Sequence, residues 1–112
     1  MKSGTWQLQK VLQDLKNIPA GEEPYLEPFE HGTMSLGMYA PGEKDLQESH
    51  TKDDLYFVIS GSGTFVNDGK RSPFSEGDAL FVAAGVEHRF EDYSQDFAAW
   101  VVFWGPDGGE VN

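Results

Sequence analysis

The stretch GEKDLQESHTKDDLYFVISG, residues 42–61, gives the clearest indication of a β fold, because an acidic segment with a histidine runs directly into β-forming residues. Its residues 55–59 are apolar on both faces, a pattern typical of a strand covered on two sides. A second stretch, GDALFVAAGVEHRFED, residues 77–92, contains a short apolar strand, a glycine-containing turn and another histidine. Both stretches therefore predict strands whose ends lie close to a histidine.

Outward from these stretches, the chain is predicted to form one helix followed by strands. Apolar residues recur at helical spacing near the N-terminus, and a proline and a glycine end the pattern at residues 19–21. These apolar residues are Leu8, Val11, Leu12 and Leu15. Beyond residue 21, proline and glycine separate short segments rich in Val, Phe, Tyr and Thr. We predict an all-β barrel or sandwich over residues 21–112, with the helix of residues 1–20 packed on it.

Composition excludes several classes of partner. The chain of 112 residues carries a formal net charge of -11, from 19 acidic and 8 basic residues. Such a charge repels a phosphate backbone and anionic lipid headgroups, which argues against nucleic acid and membrane partners. The N-terminal residues lack the apolar run of a signal peptide and no segment is long enough to span a bilayer, so we expect a cytoplasmic protein.

The histidines and their acidic neighbours suggest a metal site. Glu48 lies two residues before His50 and Asp54 four residues after it, so an extended strand places them on one face. Without cysteine, a metal must be held by imidazole and carboxylate, and two histidines with one carboxylate suit Fe, Mn, Zn or Ni. His88 would complete the set from another strand. A solvated charge pair fits the same spacing, and His31, in a loop, fits an ordinary surface histidine.

Residues 42–61 resemble the first motif of the cupin superfamily, in which a glycine is followed by His-x-His, a glutamate and a second glycine at fixed spacings. Residues 77–92 resemble the second motif, in which a Pro-x-Gly turn precedes a ligating histidine. The chain is most similar to small single-domain bacterial cupins without an established reaction. The resemblance implies a small double-stranded β-helix (jelly-roll) barrel with an N-terminal α-helix, which holds one divalent transition metal ion.

Carried over by position, the resemblance implies that His50, Asp54 and His88 ligate the metal ion. Asp54 stands where the motif has a glutamate, and Glu48 stands where it has the first histidine. Glu48 is then either a fourth, anionic ligand or a free base beside the ion. Because ligating imidazoles must be neutral, metal occupancy should fall below about pH 6.5, the unperturbed histidine pKa.

The resemblance also implies a small organic ligand or substrate in the barrel, and two classes of function stay open. A metal-dependent dioxygenase, isomerase or lyase would use Tyr56 or Glu48 as a proton carrier, since the Tyr56 side chain has the same strand parity as Asp54. A binding or sensing module would use the metal only to hold the barrel or the ligand. The residues expected to line the pocket are Met34, Leu36, Met38 and Phe90.

The last apolar strand predicts assembly. Residues 97–104 are apolar at both parities, so the strand has two faces to bury and a small barrel covers only one of them. We therefore expect a homodimer, with the N-terminal helix as the alternative cover for the second face.

Overall fold

The structure is a computed structural model, and it describes residues 3–42, 45 and 49–111. In this part of the chain one helix, α1 (Leu8–Leu15), precedes a series of strands. The strands are β1 (Tyr25–His31), β2 (Met34–Tyr39), β3 (Asp53–Ser60), β4 (Ser62–Asn67), β5 (Lys70–Ser75), β6 (Ala79–Val82), β7 (His88–Glu91) and β8 (Ala98–Trp104). The prediction of an all-β fold is confirmed. No helix of the described residues is long and apolar enough to cross a membrane.

The strands form two antiparallel sheets, as a jelly roll requires. One sheet has the order β1-β2-β8-β3-β6 and the other the order β5-β4-β7. The chain passes from the first sheet to the second between β3 and β4, at Gly61, which has a φ of 87°. A Cβ at Gly61 would lie 2.7 Å from the Cα of Phe97, so both the backbone conformation and the close approach require glycine.

Aromatic side chains fill the space between the sheets. The Phe90 ring lies at the centre, with ring centroids 4.7 Å from Phe97, 5.0 Å from Phe65 and 5.4 Å from Tyr56. The fully or nearly buried members of this core are Tyr39, Tyr56, Val58, Phe65, Phe74, Val82, Phe90, Phe97, Ala99 and Val101. Phe90 therefore lies inside the barrel as part of the core, and not in the wall of a ligand pocket as the sequence analysis expects.

Helix α1 covers part of the outer face of the five-stranded sheet. Val11 and Leu15 are buried there against Met38 and Ala98. Because side chains alternate along a strand, Met34 shares the outer side of β2 with Met38 and is 39% exposed. The expectation that Met34, Leu36 and Met38 line the pocket is therefore wrong, since strand alternation identifies an apolar face without saying which side of the sheet it is on.

Candidate metal centre

The candidate ligands come from both sheets. Asp54 is the second residue of β3, in the five-stranded sheet, and His50 lies in the segment just before that strand. His88 is the first residue of β7, in the three-stranded sheet. Packing the two sheets together therefore brings His50, Asp54 and His88 to one place at the end of the aromatic core.

The two separations between Asp54 and the imidazoles suit one shared ion. The Asp54 Oδ2 atom is 4.0 Å from His50 Nε2 and 3.9 Å from His88 Nε2. One potential ligand atom from each residue lies within 4.8 Å of the others. Atoms that ligate one ion at about 2.1 Å lie at most about 4.2 Å apart, so both Asp54–imidazole distances fit within that limit.

The Asp54 carboxylate is the unusual group of this cluster. Asp54 is fully buried, and within the described residues neither of its carboxylate oxygens has a hydrogen-bond partner. Burial raises the pKa of Asp54 to about 7, an effect that the nearby Tyr56 hydroxyl partly opposes. A buried carboxylate without a partner is unfavourable, and a metal cation held with two imidazoles would compensate its charge. The donor set and its electrostatics thus fit a divalent cation.

The histidines are held in the form that binds metals. The His88 Nδ1 atom is 3.0 Å from the Val86 carbonyl oxygen, to which it donates its proton, so the Nε2 atom near Asp54 is unprotonated and carries a lone pair. Burial lowers the pKa of His88, and burial together with the charge of His88 lowers the pKa of His50 to about 4. Both imidazoles are therefore neutral near pH 7.

Tyr56 lies within hydrogen-bond distance of the cluster. Its hydroxyl is 3.1 Å from His88 Nε2 and, with the His88 Nδ1 proton donated to Val86, the tyrosine hydroxyl is the donor. Tyr56 is fully buried, and burial raises its pKa well above the ordinary value, so the hydroxyl keeps its proton. The predicted placement of this hydroxyl beside the candidate ligands agrees with the structure, and a metal ion would compete with it for the same lone pair.

Backbone hydrogen bonds fix the segments that carry the candidate ligands. The Gly85 N–H donates to the His50 carbonyl at 2.6 Å, which ties the turn before β7 to the segment before β3. The Asp53 carboxylate accepts from the Ala84 N–H at 3.0 Å and from the Glu110 N–H at 2.9 Å. Asp53 belongs to no sequence motif, and its one signal is that it precedes Asp54 at opposite strand parity.

The two remaining residues of the sequence predictions are Glu48 and His31. Glu48 lies outside the described residues, so its role as a ligand or as a base stays a prediction. His31 is exposed, as expected, but it is the last residue of β1 and pairs with Met34 rather than lying in a loop.

A cavity of about 340 Å³ opens beside the cluster, a volume that suits a small organic molecule. The residues that line it are Glu23, Tyr25, Glu27, Ser35, His50, Thr51, Lys52 and Phe103. His50 therefore belongs both to the candidate metal cluster and to the cavity wall. Most of the other wall residues come from the β1–β2 region, which carries no motif, so the sequence analysis did not find them.

Comparisons with known proteins agree with this architecture. Residues 35–104 match the sequence model of the Cupin domain family. SCO3923, an uncharacterized protein of Streptomyces coelicolor, is 34% identical over 90 residues, which cover 79% of this chain and 86% of that protein. A solved structure of unknown function from Rhizobium leguminosarum has a TM-score of 0.67 at 19% identity, over 95% of this chain and 100% of that one. The Cupin 2 conserved barrel domain protein from Leptotrichia buccalis has a TM-score of 0.64 at 16% identity, over 84% and 46% of the two chains.

The pKa shifts move the expected pH dependence of metal binding from the imidazoles to Asp54. Its pKa of about 7 exceeds that of His50, about 4, so protons compete with a metal first at the carboxylate. We expect the affinity for Zn(II) to fall as the pH drops below 7, by up to about tenfold per pH unit. Calorimetric titration across this range measures the slope, and Asp54→Asn should flatten it while weakening binding. An affinity for Zn(II) that stays constant from pH 7 down to about pH 4, the pKa of His50, would contradict the assignment of Asp54 as a ligand.

Proposed function

This chain belongs to the cupin family, and we propose that it binds one divalent transition metal ion through His50, Asp54 and His88 and uses it on a small organic molecule in the adjoining cavity. The observation that carries the proposal is the buried Asp54 carboxylate, which lies within about 4 Å of two neutral imidazole nitrogens. Fe, Mn, Zn and Ni all accept such a set of nitrogen and oxygen ligands.

The side chains around the cluster support a role in handling the ligand. When bound, such an ion supplies Lewis acidity or activates oxygen. His50 lies at the boundary between the cluster and the cavity, so a molecule in the cavity touches the candidate metal site. Phe103 packs edge-on against His50, with ring centroids 4.9 Å apart, and covers one side of that imidazole. We propose the Tyr56 hydroxyl, which is 3.1 Å from His88 Nε2, as a proton carrier beside the cluster.

Replacement of the ligands tests the metal site. His88→Ala should reduce metal content to a small fraction of the wild-type value, because two remaining ligands hold an ion far more weakly than three. His31→Ala is the matched control, since His31 is exposed on β1 and outside the cluster. Elemental analysis of protein purified without a metal-binding tag gives the readout. Equal metal content in wild type and His88→Ala would overturn the proposed site.

Replacement of Tyr56 distinguishes an enzyme from a binding module. In a dioxygenase, isomerase or lyase, Tyr56→Phe should leave metal content unchanged and lower turnover about 10²–10⁴-fold, the usual contribution of a positioned proton carrier. Small carbonyl compounds, hydroxy acids and aromatic diols are screened with the metal-loaded protein, and oxygen uptake is one readout. Tight binding of one compound without turnover would instead support the non-catalytic binding or sensing function.

We propose a homodimer that forms through the outer apolar face, defined as Leu55, Phe57, Phe81, Val102 and Trp104. These residues lie on β3, β6 and β8, and Phe57 and Phe81 are 43% and 52% exposed. None of the five is charged, whereas the chain as a whole carries a net charge of -11 that repels a second copy elsewhere. Helix α1 packs on β1, β2 and the Ala98 end of β8 instead. The cytoplasmic location stays a prediction.

A charge placed on that face should prevent dimer formation. At micromolar concentration, light scattering should give a dimer for the wild type and a monomer for Phe81→Glu, because two buried carboxylates would meet a face without cations. Val111→Glu adds the same charge at a residue that is 94% exposed and should stay dimeric. A wild-type monomer at this concentration would remove the proposed dimer.

A further inference from the structure

The opening of the cavity beside His50 carries more negative than positive charge. Glu23 and Glu27 line it and are both exposed, whereas Lys52 is the one residue with an ammonium group among the lining residues in the described part of the chain. The Lys52 ammonium group already donates to the Thr33 carbonyl at 3.1 Å. With a net charge of -11 on the whole chain, the electrostatic potential at this opening favours the entry of cations and disfavours that of anions.

Aromatic surface lies next to these carboxylates. Tyr25 and Phe103 both line the cavity, with ring centroids 6.2 Å apart and ring planes at 81°. Organic cations are attracted to aromatic ring faces within about 6 Å, and the attraction is largest for alkylated ammonium groups that water solvates weakly. Carboxylates and aromatic rings at one opening therefore favour the same kind of ligand group.

The Tyr25 hydroxyl adds a separate requirement for the ligand, which is a hydrogen-bond acceptor. Its oxygen is buried and, within the described residues, has no hydrogen-bond partner. Burial, followed by the charges of Glu27, Glu23 and Asp54, raises the pKa of Tyr25 well above the ordinary value, so the hydroxyl remains a donor. A Cβ at Gly37 would overlap this hydroxyl, so the absence of a side chain at residue 37 makes room for it. A ligand oxygen would satisfy the donor.

We infer that the cavity binds a small organic cation that also carries an oxygen, with its alkylammonium group near Glu23, Glu27 and the rings of Tyr25 and Phe103. The oxygen accepts a hydrogen bond from Tyr25 and points towards His50. This inference rests on the proposed function in taking the cavity as its ligand site, but binding of the cationic group does not require the metal.

Three isosteric probes test the inference with the full chain, both metal-free and metal-loaded. Choline is the cation, 3,3-dimethyl-1-butanol is its neutral isostere, and 3,3-dimethylbutanoate is an anion of similar shape. Chemical-shift titration should give choline an affinity about tenfold above that of the neutral alcohol, within the range of cation–π and carboxylate interactions, and no saturable binding of the anion. Equal affinity for choline and the alcohol, tighter binding of the anion, or no binding of any probe would overturn the inference.

Charge-matched variants locate the preference. The double substitution Glu23→Gln and Glu27→Gln should bring the choline affinity close to that of the alcohol, whereas Glu76→Gln with Glu87→Gln removes two exposed charges outside the cavity and should keep the difference. Tyr25→Phe should weaken choline and the alcohol by a similar factor, about three- to tenfold. An equal loss of choline preference in both double variants would overturn the inference.

Metal content measured on the same samples separates the two proposals. Metal binding without a preference for choline contradicts only the cation inference. A preference for choline in protein that binds no metal contradicts only the proposed metal centre.

Discussion

The buried carboxylate of Asp54 is the constraint around which the candidate site is organised. A carboxylate in a protein interior costs several kcal/mol unless it is neutralised or paired. Here it lies at the junction of the two sheets, with an imidazole nitrogen on either side, and among the described residues neither of its oxygens has a hydrogen-bond partner. Two events would offset this cost. The Asp54 carboxylate can take up a proton, as its raised pKa indicates, or it can bind a cation that it shares with the histidines.

Neighbouring aspartates on β3 serve opposite purposes because strand side chains alternate. Asp54 points into the barrel, whereas Asp53 points away and accepts hydrogen bonds from the Ala84 and Glu110 backbone. The first of these bonds holds the turn that leads to His88. Asp53 thus helps to position His88 of the second sheet, and it directly precedes Asp54 of the first sheet. This link explains how two separate stretches of sequence yield one compact cluster.

The sequence predicts the strands, the helix and the cluster of His50, Asp54 and His88, since each leaves a local pattern of apolar spacing or a motif. The cavity wall leaves no such pattern. Tyr25 reaches the cavity through the pairing of β1 with β2, whose register shifts between Leu26 and Phe29, and no rule of local sequence fixes that shift. The orientation of Met38 depends on where α1 docks, which is likewise a tertiary property.

The charges of the site differ along its depth, and this difference bears on how a ligand would lie in it. At the opening, the described lining residues supply two carboxylates and one ammonium group, which already donates to a carbonyl. At the inner end, a divalent ion balanced by Asp54, the one carboxylate of the cluster that the described residues form, would leave an excess positive charge beside neutral imidazoles. A molecule with a cationic head and an oxygen at its other end has the complementary polarity, whereas the reverse orientation places like charges together at both ends. The carboxylates at the opening and a metal at the cluster would therefore select the same orientation.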